Sequence, residues 1–500
     1  SFHINSSFNN FLTILLLYYS IHKKYIIFNI KITFLLYFIR IICYNTVCII
    51  QGGQYVMNIG LVTLGCTKNQ VDSEMLLGVF KSQGFNIVNE VEQADIIVVN
   101  TCGFIKSAKE EAIDTILEMA DYKECGRCKA LIVTGCLAKR YKKEILESMP
   151  EVDLCIGVDE YNNISKILSE FFSQNKLLSQ CKFTHGLDFN NRIISSTYPL
   201  AYIRISDGCD NRCSYCAIPL IRGKFKSRKM EDILAEVDAL AKKGIKEFCI
   251  ISQDTSKYGL DIYGELKLDE LLNKMSKIEG VKWIRILYMY LFETTDKLIE
   301  EIAKNDKVCK YFDIPIQHLN DELLKRMNRH DTKELIYDRI KKIREMVPGA
   351  ILRTTCIVGF PGETDKQYEE LISGIKELKF DRLGAFTYSR EEDTPSYDYD
   401  GQIEENIKEK RLKNLFDVQK EISLQKNKER LGKEYEVIVE DVSEDEKYFV
   451  CRSMLEAPDV DGRIYIKIDE DSVNKIIIGE YVNVKIIDYN EYDLFAKILE

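Results

Sequence analysis

Three times between residues 57 and 150 the chain passes through a short β-branched stretch, reaches a cysteine, and turns into apolar residues at helical spacing. "NIGLVTLGC" precedes "NQVDSEMLLGVFKSQG", "ADIIVVNTCGF" precedes "KSAKEEAIDTILEMA", and "KALIVTGC" precedes "LAKRYKKEILESM". Strands alternating with helices in this way predict a parallel sheet covered by helices, an α/β unit. Cys66, Cys102 and Cys136 each follow the carboxyl end of a strand. Those ends lie along one edge of a parallel sheet, where open α/β folds bind ligands, so thiols far apart in sequence can meet. A single buried cysteine is ordinary core; three in equivalent places favour convergence. Cys155 in "VDLCIGV" and Cys249 in "EFCIIS" lie inside strand runs and read as core, and "CGRC" (Cys125, Cys128) falls in a helix-to-strand loop at the opposite edge.

A second alternating array begins near Tyr198, with "AYIRIS", "EFCIIS", "WIRILYMY", "KYFDIPI", "ILRTTCIVG" and "RLGAFTYS" as strands. "MEDILAEVDALAKKG" and "YEELISGIKELKF" are amphipathic helices between them. Six βα units are too few for a full eight-stranded barrel, so the expected closure is a partial (βα)6 barrel with its chemistry at the strand carboxyl ends. From Leu431 the pattern changes to period two in "EYEVIVEDV", "KYFVCRS", "RIYIKID", "EYVNVKIID" and "YDLFAKILE", a small antiparallel β-barrel. The charged helix before it, "ENIKEKRLKNLFDVQKEISLQKNKERLG", reads as a linker with a solvated face.

The expected organisation is therefore residues 57–190, 195–430 and 431–500, with residues 1–56 as an apolar extension outside the functional enzyme and Met57 as its start. Lys23, Lys24, Lys31 and Arg40 break that extension into runs shorter than the roughly 18 residues a spanning helix needs, which argues against a membrane anchor. Sixteen cysteines in 500 residues are too sparse for a disulfide scaffold and point to ligands in a reducing compartment, the cytoplasm.

The sharpest motif is "DGCDNRCSYCAIP", just past the first strand of the second array. Cys209, Cys213 and Cys216 offer three thiols and no fourth ligand at a zinc-finger offset. A four-iron, four-sulfur cluster on three thiolates keeps one iron free for an outside ligand. Cys-x₃-Cys-x₂-Cys at this place resembles the radical S-adenosylmethionine superfamily, in which the free iron chelates the amino and carboxylate groups of S-adenosylmethionine and an electron breaks a carbon–sulfur bond to give a deoxyadenosyl radical. The resemblance implies that Tyr215 leans on the adenine. Gln253 and Asp254 in "ISQDTSKYG" end the second strand, where both can face the ligand or form a turn with helix-capping chemistry. "IVGFPGET" lacks the Gly-Lys-Ser/Thr ending of a P-loop, and Gly359 in it permits close backbone approach to the cofactor. His318 in "IPIQH" reads as a hydrogen-bonded structural group.

The order of modules along residues 57–500 resembles the methylthiotransferases, ending in a TRAM domain. That resemblance implies a second [4Fe-4S] cluster on Cys66, Cys102 and Cys136 whose free iron carries the sulfur or methylthio group. "GCDNRCSYCAIPLIRGKFKSR", "QDTSKYGLDIYG", "DIPIQHLNDELLKRMNR" and "TYSREEDTPSYD" look like the branch that adds a methylthio group to the β-carbon of an aspartate in small-subunit ribosomal protein S-twelve. Leu291 and Thr67 depart from that branch, where proline is usual. The other branch modifies tRNA adenosine.

Charge separates the two. Residues 431–500 carry 8 Lys plus Arg against 18 Asp plus Glu, and 8 − 18 = −10 equals the net charge of the whole chain. Such a barrel would repel a tRNA backbone and attract a basic ribosomal protein, free or in the small subunit. A reduced electron donor and a sulfur donor are implied partners. The non-enzymatic alternative is a zinc-stabilised adaptor with an acidic protein-binding barrel.

Overall fold

Strand β1 (Asn58–Thr63) opens a five-stranded parallel sheet in the order β2–β1–β3–β4–β5, with β2 (Asn86–Ile87), β3 (Ile96–Thr101), β4 (Ala130–Gly135) and β5 (Leu154–Gly157). In the computed structural model, residues 56–175, 187–196, 198–469, 472 and 476–499 are described. Up to residue 55 the amino-terminal extension lies outside the described residues, and among them no helix is long and apolar enough to cross a membrane. Both faces of β3 and β4 are buried, which is why these strands read as unbroken Ile/Val runs. Crossovers are made by α1 (Thr67–Ser82), α2 (Lys106–Glu124) and α3 (Cys136–Ser148), with α4 (Ile164–Gln174) after β5. The two-residue edge strand β2 is too short to leave a period in the sequence.

The second array is a partial barrel of six parallel strands: β6 (Leu200–Arg204), β9 (Glu247–Ile251), β10 (Trp283–Ile286), β11 (Tyr311–Asp313), β12 (Ile351–Val358) and β13 (Arg382–Thr387). They form two three-stranded sheets, and a single bridge between Ile284 and Val308 lies at the seam. The hairpin strands β7 (Ser206–Asp207) and β8 (Lys226–Ser227) flank a loop and the short helix α5 (Ile218–Arg222). Alternation along each strand separates two faces. Ala201, Ile203, Phe248, Ile250, Ile284, Ile286 and Phe312 pack outward with apolar residues of α6 (Met230–Lys242) and α7 (Asp365–Leu378). Leu200, Tyr202, Cys249, Trp283 and Tyr311 turn inward, where they meet Val71 and Met75 of α1 together with Ile438 and Ala457 of the carboxyl-terminal barrel.

Helix α8 (Glu405–Lys428) lies against β13 and α7 and departs from the expected solvated linker. Leu415 and Ile422 join the barrel core, while Lys408, Arg411 and Gln419 are buried and bond to Tyr388 O, Glu363 and Phe380 O. Its charge periodicity resembles a surface helix because buried carboxylate and carbonyl partners, not water, meet those residues.

Strands β14 (Glu434–Val442), β15 (Tyr448–Ser453), β16 (Ile464–Lys467), β18 (Leu494–Ile498) and β17 (Tyr481–Tyr489) close a five-stranded barrel in that order. It is antiparallel except for the β16–β18 pair, which is parallel. This barrel is fixed to the larger one by buried charge: Arg452 donates to Glu247 at 2.5 Å and to Glu440 at 2.8 Å, and Arg285 donates to the same Glu247 at 3.1 Å. Tyr202 and Tyr311 donate to Asp459 and Asp461 at 2.9 and 2.7 Å.

Candidate active site

Adjacent strands β1, β3 and β4 bring Cys66, Cys102 and Cys136 to neighbouring strand ends, since the register pairs Thr63 with Asn100 and Thr101 with Gly135. The turns are pressed together. Gly65 has φ +88°, and a Cβ there would lie 2.7 Å from Cys102 Cβ, so only glycine fits. Asn69, fully buried on the first turn of α1, donates to Leu64 O and Thr101 O, both at 3.0 Å, and ties β1 to β3. Thr67 starts this helix, a position that proline also suits; its hydroxyl lies 3.5 Å from that of Tyr288.

Burial pushes the Cys136 thiol up to about 12, with Cys66 and Cys102 adding to the shift and Arg222 opposing it. Burial likewise raises Cys102, and Cys66 adds to the rise. Cys102 and Cys136 each feel the charge of Cys66 and so stand near it, and thiolates brought together need a cationic centre to balance them, so the donor set suits a metal cluster. Cys66 is exposed and Cys136 buried, so the set has an open side and a closed one.

The second triad follows β6. Gly208 turns the chain with φ +75°, and a Cβ there would meet Lys224 O at 2.1 Å. The loop is stapled to one strand end and one helix end: Asn211 donates to Asp254 just past β9 at 2.8 Å, and Ser214 bonds through N to Met327 O at 2.9 Å and through Oγ to Arg326 O at 2.8 Å, at the carboxyl end of the helix Asp321–Arg326. Burial raises Cys209 to about 12, with Asp254 and Cys213 adding to it, and burial followed by Cys213 raises Cys216. Among the described residues no three His, Cys, Asp or Glu side chains are gathered as closely as ligands of one metal ion. Thiolates that bind different irons of one cube stand farther apart than that.

Tyr215 lies between Cys213 and an apolar wall of Leu323, Met327, Phe360 and Tyr388, and burial with the Cys213 thiol holds its phenol well above the ordinary range. Gln253 donates to Asp207 at 3.2 Å, and its Oε1 is buried without a partner. Glu293 Oε2, Gln317 Oε1 and Asp331 Oδ1 are also buried and unpartnered. Four bare acceptors at the carboxyl-terminal end of one barrel fit a ligand rich in N–H and O–H donors or positive charge, as S-adenosylmethionine is. Gly359 is placed differently. Its N–H is taken by Glu363, and a Cβ would press into the Lys408 side chain, so the close approach at this glycine is to α8. His318 is fully buried, accepting from Asn320 N at 3.0 Å with Glu363 3.2 Å from its other nitrogen.

Arg222, Asn69 and Asp72, which the sequence pattern does not single out, join the two triads. Arg222 lies 2.7 Å from Asp72 and 3.5 Å from both Asp207 and Cys136 Sγ. Arg204 also donates to Asp72 at 2.5 Å. Burial works against the Asp207 carboxylate, yet Arg204 and Arg222 outweigh it and hold its carboxyl below the ordinary range. The sole hints in sequence are Arg222 six residues after Cys216, and Asn69 and Asp72 one helical turn apart behind Cys66. The Cys125–Cys128 pair stays at the far edge, with Cys128 Sγ bonded to Ala130 O at 3.3 Å.

Comparison with known proteins adds three family matches: uncharacterized protein family UPF0004 over residues 58–157, the radical SAM superfamily over 203–375 and the TRAM domain over 431–499. The chain is 50% identical over 444 residues to the ribosomal protein uS12 methylthiotransferase RimO of Clostridium novyi, covering 88% of this chain and 98% of that protein. It is 49% identical over 449 residues to that of Acetivibrio thermocellus, with 88% and 98% covered. Among solved structures, the radical S-adenosylmethionine methyltransferase TsrM of Kitasatospora setae, with cobalamin and a [4Fe-4S] cluster bound, shares the fold at a TM-score of 0.50 and 15% identity, over 68% of this chain and 77% of that one.

Proposed function

The chain belongs to the RimO family and is a radical SAM methylthiotransferase for ribosomal protein uS12; from that premise we propose how its residues divide the work, with the β-carbon of an aspartate as the atom modified. Cys209, Cys213 and Cys216 hold one [4Fe-4S] cluster, and Cys66, Cys102 and Cys136 hold a second. When bound, the clusters and S-adenosylmethionine supply the radical, the sulfur and the methyl group. Tyr215 presents its ring to the adenine, against Phe360 and Tyr388. Gln253, held by Asp207, offers its bare Oε1 to a donor of the cofactor. Gly359 turns the chain at the end of β12 and seats that wall on α8. Helix α1 packs Val71 and Met75 on the barrel's inward face and pairs Asp72 with Arg204, which holds the first thiol set over the barrel.

The observation that carries this reading is the meeting of two three-thiol sets: α5 leads directly from Cys216 to Arg222, 3.5 Å from Cys136. The acidic carboxyl-terminal barrel favours a basic ribosomal protein over tRNA, and the uniformly free thiols among the described residues suit the cytoplasm. A reduced electron donor and a sulfur donor complete the cycle. The test is mass spectrometry of uS12 from cells with and without this gene: a methylthio increment on one aspartate is expected, and an unmodified uS12 beside an altered tRNA adenosine would overturn the reading.

A further inference from the structure

The five-residue helix α5 runs directly from one thiol set to the other. It begins two residues after Cys216 and ends on Arg222, and Ala217 and Ile221, both fully buried, pack with Cys136 in one small apolar cluster. Arg222 has a buried side chain with four acceptors around it: Asp72 at 2.7 Å, Asn69 Oδ1 at 3.0 Å, Cys136 Sγ at 3.5 Å and Asp207 at 3.5 Å. Asp72, Asn69 and Cys136 belong to the first thiol set's cradle, and Asp207 stands two residues before Cys209. A plain ion pair between domains needs only Arg204 and Asp72, which already meet at 2.5 Å. The second guanidinium places an N–H on a ligand sulfur.

We propose that Arg222 is a positioning residue that donates an N–H···S hydrogen bond to Cys136 and thereby raises the reduction potential of the cluster held by Cys66, Cys102 and Cys136. The inference rests on the reading of those three thiols as cluster ligands. Hydrogen bonds to ligand sulfur and nearby positive charge stabilise the reduced, more negative cluster, and burial magnifies both. The planar fork of arginine turns Nη2 toward Asp72, Asn69 and the sulfur while Nη1 faces Asp207 beside the second thiol set, a span that the single ammonium of lysine cannot cover. The same side chain therefore sets the electronic state of one centre and fixes it to the loop carrying the other.

The test uses the full chain with Cys209→Ala, Cys213→Ala and Cys216→Ala, reconstituted anaerobically so that only the amino-terminal cluster is present. Iron content is measured first. A parent protein that binds no iron refutes the ligand reading and, with it, the basis of this inference. With iron bound, Arg222→Met and Arg222→Lys are compared with the parent by potentiometric titration and electron paramagnetic resonance. The expected result is a lower potential and altered g-values for Arg222→Met, and an intermediate potential for Arg222→Lys, which retains charge and loses the fork. If Arg222→Met fails to fold, the lysine variant decides by its own shift. A potential and spectrum equal to the parent's in the folded variants would overturn the role.

Discussion

Cys102 and Cys213 occupy matching places in two triads, and the proposed division of labour separates what their loss does. Cys213→Ala is expected to abolish deoxyadenosine formation from S-adenosylmethionine, whereas Cys102→Ala keeps that cleavage and loses the methylthiolated product. Chromatography of deoxyadenosine and mass spectrometry of uS12 read the two outcomes, and methylthiolated product from Cys102→Ala would sink the second-cluster assignment. Glu293 makes a different kind of prediction. Burial, then the Asp254 carboxylate, raises its carboxyl to about 7 from an ordinary value near ~4.3. Between those two pH values the folded chain retains a proton that the unfolded chain has released, so folding stability declines as pH rises through that window. Glu293→Gln cannot lose a proton, so its thermal midpoint should exceed that of the parent at pH 8 and not at pH 5; parallel curves would contradict the raised carboxyl. In the sequence Cys66, Cys102 and Cys136 stand out because they repeat a position relative to strands, and Cys209, Cys213 and Cys216 because they are closely spaced in one loop. Arg222, Asn69 and Asp72 do not, because each is a lone polar residue and the contacts of Arg222 with Asp72 and Asn69 join residues 150 and 153 apart in sequence.

At the scale of elements, the strands of both parallel arrays announce themselves through β-branched runs, and the five carboxyl-terminal strands through alternation. The parallel β16–β18 pair leaves no such trace, because pairing direction is set by how the barrel closes and not by residue type. Helix α8 shows the limit most clearly. Arg411 and Lys408 look solvated in sequence, yet Arg411 donates to Glu363 at 2.7 Å, and Glu363 in turn holds Gly359 N and faces His318. Removing one partner of a buried ion pair leaves a bare charge, so Arg411→Met is expected to cost about 3 kcal/mol. Urea unfolding measures it, and an unchanged midpoint would show that α8 is a mere linker. Loss at this site should also loosen the Phe360 wall behind Tyr215, because Phe360 follows Gly359 directly.

Across the whole molecule, charge is unevenly distributed: residues 1–430 balance at 61 against 61, and all the excess acid lies in the last module. Part of that acid is spoken for, since Glu440 and Glu456 are buried against Arg452 and Arg430. The remainder is available to steer a basic partner. Association with uS12 is therefore expected to slow as salt rises from 50 to about 500 mM, because exposed charges are screened within roughly 10 Å at 0.1 M. Stopped-flow rates check this, and a salt-independent rate would remove the acidic barrel from recognition.

The inward face of the large barrel carries one more consequence. Trp283 is the only tryptophan in the chain, and its ring stands edge-on to Tyr481 of the small barrel with centroids 4.8 Å apart. Excited at wavelengths too long for its 28 tyrosines to absorb, the chain therefore emits from one indole at the joint between two modules. A shift to longer wavelength would report water entering that joint, giving a label-free optical gauge of whether cargo or ribosome pries the acidic module loose.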